Sequence, residues 1–218
     1  MKSPDGNAVR TQRTRQRILA RALELFNEHG EANVTTGTIA ESLGMSPGNL
    51  YYHYRNKDAI VTELFRRFEA LVDVEPAPSS DPASAIEDLW LYLHIVLEAI
   101  WEYRFLYRNL DDLVARDRKL RDSFNRIARR KVQAIEALCA NLVEARAMRA
   151  SVEEIHALSR NVLIVTTYWL NFQSLRPHAG HTPGDLAHGA HQVMALVAPF
   201  LVGRARRHLD HLSRGYID

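Results

Sequence analysis

The chain is expected to be all-α, and three features of its sequence say so. Apolar residues recur three and four positions apart over long stretches. No run of alternating apolar and polar residues calls for a strand, and clusters of proline and glycine fall mainly where the helical period breaks. Of 218 residues, 46% are hydrophobic and 25% charged, a globular balance that suits one or two domains.

Taken in order, Met1 to Val9 carries Pro4, Gly6 and several polar residues and reads as a mobile arm. A first helix is expected from about Arg10 to His29, striped by Ile18, Leu19, Ala22, Leu25 and Phe26 and stopped by Gly30. Thr35 is a good N-cap for a second helix with Ile39, Ala40 and Leu43 on one face, and Gly44 suits its left-handed end. Ser46 caps a third helix with Pro47 at its first position, and Leu50 can pack back on the second. Asn56 caps a fourth helix reaching about Val72, with Ala59, Ile60, Leu64, Phe65 and Phe68 inward. Helix, tight turn and helix from Thr35 onward is the arrangement that lets a second helix enter a DNA major groove.

Pro76, Pro78 and Pro82 forbid a continuous helix, so a linker is expected over 75–82. Beyond it, Ile86, Leu89, Trp90, Leu93, Val96, Leu97, Ile100 and Trp101 keep a helical period, and Phe105 to about Ala115 makes a shorter helix. Leu120, Phe124, Ile127, Ile135, Leu138 and Leu142 stripe a long helix from about Arg118 to Ala147. Ser151 with Glu154 forms a capping box for a helix carrying Val162 to Val165, Tyr168 to Leu170 and Phe172, apolar nearly all round. After a loop over Arg176 to Gly184, Thr182 or Pro183 opens a last helix faced by Leu186, Val193, Met194, Val197, Phe200 and Leu201, with Pro199 expected to bend it.

The run from Arg17 to Ile60 resembles the N-terminal domain of the TetR family of bacterial transcriptional repressors, which also includes AcrR-like proteins. The resemblance is carried by Arg17-Ile18-Leu19, Leu25-Phe26, Gly30, Thr35, Ile39-Ala40, Leu43-Gly44-Met45-Ser46, Gly48, Leu50-Tyr51, His53-Tyr54 and Lys57-Asp58. It implies a three-helix DNA-binding domain with its connector helix over 10–74, and a helical effector-binding and dimerisation bundle over 83–218. It also implies that Thr35, Tyr51, His53 and Lys57 anchor phosphates, while Ser46, Pro47, Gly48 and Asn49 lie nearest the bases. Asparagine pairs bidentately with adenine, which makes Asn49 the leading base reader. Tyr54 reads as core, and Tyr52 stays open between core and contact. Arg10 to Arg21 contains five arginines and no acid, a charge run that suits a phosphate-rich partner or, more plainly, a solvated helix face.

The resemblance further implies a small-molecule effector and a homodimer presenting two recognition helices to a palindromic operator. Trp90, His94, Trp101, Tyr103, Tyr107, Tyr168, Trp169 and Phe172 either line an apolar cavity or fill the core, with His94, Tyr107 and Asn109 as its polar candidates. An apolar or aromatic effector is the corresponding expectation. The alternative function is a helical small-molecule-binding module with no specific DNA binding.

Other chemistries find little support. His178, His181, His188 and His191 with Asp185 could ligate a metal, yet a polar loop and solvated helix end explain them as well, and no metal or cofactor is expected. There is no phosphate loop, nucleophile elbow or His-Glu-x-x-His pair, and the adjacent Asp111 and Asp112 point apart on a helix, so no enzyme is expected. The single cysteine, Cys139, sits in an apolar pattern and reads as an inert buried thiol. The polar N-terminus lacks a signal-peptide core and apolar runs such as Met194 to Val202 are too short to span a bilayer, so a cytoplasmic location is expected.

Overall fold

A computed structural model describes residues 4–73, 82–175 and 184–214. Its elements are helices, with no β-strand among the described residues and one isolated antiparallel bridge between Met148 and Leu201. The chain divides into two compact units, Met1–Phe68 with Tyr103–Leu120, and Glu69–Glu102 with Arg121–Asp218. No described helix is long and apolar enough to cross a membrane.

In the first unit, helix α1 runs Pro4–His29, starting six residues before the expected Arg10 and taking residues 4–9 out of the expected arm. Proline is at ease at a helix start, where its missing N–H has no partner to lose. Gly30 ends the helix at φ +80°, a left-handed value that suits glycine. A 3-10 turn over Glu31–Asn33 leads to α2, Thr36–Ser42, which Thr35 caps by accepting Thr38 N–H at 3.1 Å. Gly44, at φ +65°, makes the turn to α3, Pro47–His53, whose Ser46 cap accepts Asn49 N–H at 3.2 Å. Asn56 caps α4, Lys57–Val72, accepting Ala59 N–H at 2.9 Å. Ile18, Phe26, Ile39, Leu50, Ile60, Leu64 and Phe68 are fully buried, the core that the apolar spacing forecasts.

The expected helix over Phe105–Ala115 is two helices, α6, Arg104–Arg108, and α7, Leu110–Arg116, broken at Asn109, whose φ of −111° and ψ of 23° leave the helical region. This segment belongs to the first unit. Phe105 packs on Phe26 with ring centroids 5.2 Å apart, and its N–H donates to Asn27 Oδ1 at 3.1 Å.

The second unit is built from α5, Pro82–Glu102, most of α8, Arg118–Glu144, then α9, Val152–Gln173, and α10, Gly184–Val197. Helix α10 packs on both α9 and α5. The Ser151–Glu154 capping box is formed on both sides. Pro199 does more than bend the last helix. It lies in a 3-10 turn over Ala198–Phe200 that ends α10, because proline cannot donate to the helical ladder. A further helix, α11, Gly203–Arg214, follows and packs on α5. The sequence reading missed it, since Ala205 and Leu209 are thin apolar signals among arginines. The 75–81 stretch of the expected linker and the 176–183 loop, with His178, His181, Thr182 and Pro183, lie outside the described residues.

Candidate nucleic-acid interface

Helix α3 presents the surface. Leu50 is its buried anchor, while Ser46, Pro47, Gly48 and Asn49 are all exposed at its start. A side chain added at Gly48 would meet nothing within 4 Å, so the fold itself does not require glycine there. Bareness at an exposed helix start leaves room for close approach of another molecule. Tyr52 is 76% exposed and Tyr51 51%, large aromatics that a folded unit would ordinarily cover. The Tyr51 hydroxyl lies 3.1 Å from Thr36 Oγ1, so one hydroxyl donates to the other and the second keeps a proton for an outside oxygen. Thr35 Oγ1 is engaged at the start of α2, accepting Thr38 N–H and lying 2.9 Å from Thr38 Oγ1. Tyr54 is 3% exposed and is core, as its spacing suggests.

Two charged residues tie neighbouring elements of this unit together. Arg15 on α1 donates to the His53 carbonyl at 2.6 Å, and its guanidinium lies 4.3 Å from the centre of the Tyr54 ring. It is therefore a clamp on the end of α3, a role that the arginine run did not signal; Arg10, Arg13 and Arg17 of the same run are exposed. Burial first, and the Arg15 charge second, hold the His53 imidazole below its ordinary value, so the ring is neutral at pH 7. Lys57 heads α4, where its ammonium donates to the Glu31 carbonyl at 2.9 Å and lies 3.1 Å from Glu31 Oε1. Arg116 of α7 donates to the other carboxylate oxygen at 2.5 Å. Neither Glu31 nor Arg116 carries a motif that sequence reading could have used.

The remaining candidates fall in both units. Tyr103 and Tyr107 belong to the first unit, buried against Phe68 at 5.9 and 5.7 Å, and Asn109 is the half-buried break between α6 and α7. In the second unit Trp90 stacks on His94 at 4.8 Å and Trp169 lies 5.8 Å from Phe172, while Trp101 is half-buried. Tyr168 and Phe172 are 46% and 56% exposed. His188 is exposed and His191 half-buried. Cys139 is buried and its thiol pushed up to about 12, chiefly by burial and then by Glu136, which makes it inert. Lys131 escaped the sequence reading although its place between Ile127 and Ile135 on the apolar stripe of α8 could have revealed it. It is 4% exposed, and burial pushes its amine down to about 7.

Two short capped helices joined through the Gly44 turn, the second exposed at its start, form a helix-turn-helix, the motif of a class of DNA-binding proteins. Residues 18–64 match the profile described as bacterial regulatory proteins, tetR family, and residues 64–209 match that of the bacterial transcriptional repressor TetR. The chain belongs to the TetR family of bacterial transcriptional regulators. A TetR-family regulator from Marinobacter aquaeolei VT8 is 37% identical with a TM-score of 0.81, over 93% of this chain and 98% of that one. SmeT, the repressor of a Stenotrophomonas maltophilia multidrug efflux pump, solved as a complex with triclosan, shares the fold at 18% identity and a TM-score of 0.60, over 88% and 93% of the two chains. The transcriptional regulator AcrR of Shigella flexneri is 28% identical over 98 residues, which are 43% of this chain and 45% of AcrR. The chain thus spans less than half the length of that curated relative.

Proposed function

We propose that this protein is a ligand-responsive repressor that binds a palindromic operator as a homodimer and is released by a small, largely apolar or aromatic effector. The observation that carries the reading is the exposed start of α3, with Asn49 open for base readout and Tyr51 and Tyr52 exposed beside it. Dimerisation rests on α9, where Ile164, Tyr168 and Phe172, spaced four apart, are 57%, 46% and 56% exposed. One chain has no reason to leave such an apolar face in water, and a twofold mate would cover it. An aromatic effector fits the stacked Trp90–His94 pair and is in keeping with triclosan in the SmeT complex.

Coupling would run through α4. Its first residue, Lys57, is tied to Glu31 in the first unit. Its end lies in the second, where Arg126 donates to Glu69 at 2.6 Å and Arg130 pairs with Asp73, the residue just past the helix. An effector that shifts α8 would pull on those two carboxylates and turn α3 through α4. Coupling of this kind is typically worth about 1–3 kcal/mol. The test is selection of bound sequences from random duplex DNA at near-physiological salt. An enriched palindrome is expected, whereas recovery of sequence-blind binding alone would overturn the repressor reading.

A further inference from the structure

Lys57 is the residue whose cation the family pattern assigns to a DNA phosphate, and the free chain has already given it an anion. Glu31 is 2% exposed, so water cannot satisfy its carboxylate and cations within the fold must do so. Arg116 supplies one, with Nη2 at 2.5 Å from Oε2. Lys57 supplies the other differently. Its directed hydrogen bond goes to the Glu31 carbonyl, while Oε1, 3.1 Å away, makes no hydrogen bond of good geometry and meets the ammonium as a bare charge. Lys57 keeps 24% of its side chain exposed, so a phosphate can reach it without unfolding anything.

From this geometry we infer that Glu31 is a built-in competitor for DNA, an internal anion that discounts the Lys57 charge and sets the affinity of the interface. The inference rests on the DNA-binding reading above. Arg116 enters with the opposite sign. While it holds Oε2, the Glu31 charge is shared between two cations and Lys57 is drawn less strongly. Without it, Lys57 is the sole counter-ion of that buried carboxylate among the described residues and is held back. The position of α7, which carries Arg116, thereby becomes a dial on phosphate binding, and Glu31 acts through Lys57 as a positioning residue.

The experiment uses the full chain and a fluorescent random-sequence duplex, titrated between 50 and 200 mM salt, with thermal unfolding run in parallel. Glu31→Gln keeps the shape and removes the charge. It is expected to bind roughly three- to tenfold tighter, with a salt slope steeper by up to about one unit. Arg116→Met should bind more weakly by a similar factor, and should do nothing in the Glu31→Gln background. A merely structural Glu31 would instead lower the unfolding midpoint and leave the slope alone. Tighter binding together with the loss of the Arg116→Met effect supports the inference. An unchanged or weakened Glu31→Gln with normal unfolding overturns it. Should Glu31→Gln not fold, Arg116→Met decides: weaker binding supports, unchanged binding overturns. Failure of the wild-type chain to bind the duplex at 50 mM salt would instead sink the DNA-binding reading itself.

Discussion

Arg15 offers the sharpest test of how the interface is held. It belongs to the arginine run that invites a phosphate-binding role, yet its guanidinium is spent inside the protein, on the His53 carbonyl at 2.6 Å and the Tyr54 ring at 4.3 Å. Arg15→Met keeps the aliphatic stem and removes both contacts. A hydrogen bond from a charged donor contributes about 1.5–3 kcal/mol, and a partly buried cation–π contact about 0.5–2 kcal/mol. The two share one group and do not simply add, so a loss of about 2–3 kcal/mol is expected. For a chain of this length that lowers the unfolding midpoint by roughly 5–10 °C. Circular dichroism follows the melting, and a titration of DNA affinity against salt follows the contacts. The slope should stay where it was, since no counterion release is lost. A slope shallower by about 0.9, with the midpoint unmoved, would mean that Arg15 binds phosphate and that the clamp is wrong.

The neutral His53 gives a pH test. Its pKa is held below the ordinary 6.5 by burial and then by Arg15, so the fold disfavours the imidazolium and loses stability as pH falls below that value. A DNA phosphate pulls the other way. Acidification from pH 7.5 to 5.5 should therefore tighten binding to a random duplex more in the wild type than in His53→Gln, and matching profiles would remove His53 from the contacts. Lys131, pushed down to about 7, binds its proton in the unfolded chain but not in the folded one between pH 7 and about 10. Stability should rise across that window by up to about 1.4 kcal/mol per pH unit on its account. Lys131→Met should flatten the rise in denaturant melts, and an unaltered slope would show the amine charged inside the fold. Finally, Tyr168→Glu with Phe172→Glu should convert a dimer to a monomer in sedimentation equilibrium and cost operator affinity; a mass that stays dimeric would place the interface elsewhere.

What could be read ahead from the sequence was local. Thr35, Ser46 and Ser151 announce their caps because each side chain serves an amide three residues on, and Gly30 and Gly44 announce turns because their backbones turn left-handed. Apolar spacing found Ile39, Leu50, Ile60 and Phe68 for the same reason. The misses are long-range. Nothing near Arg15 reveals that His53, 38 residues away, will need a donor, and nothing in the turn after Gly30 marks Glu31 as the partner of Arg116, 85 residues on. Tyr103 and Tyr107 stay open between pocket and core by type, and tertiary packing sets them against Phe68. Asn109 breaks a helix whose apolar pattern runs through it, because the period records which face is buried and not whether the backbone stays helical.

The polar contacts that escaped prediction share a pattern with a mechanical consequence. Helix α4 has a carboxylate–cation contact at or near each end, Glu31 with Lys57 at the first residue, Glu69 with Arg126 in its last turn, and Asp73 with Arg130 just past it. Apolar packing along its length, through Ile60, Leu64, Phe65 and Phe68, is non-directional and rewards burial of that face whatever its neighbours. Charge-assisted hydrogen bonds are directional by comparison, so they favour particular positions along its axis and particular rolls. For the proposed repressor, a helix held in this way would carry a displacement at one end to the other. That is the property a regulator needs if a shift of α8 is to change what α3 and Lys57 can reach.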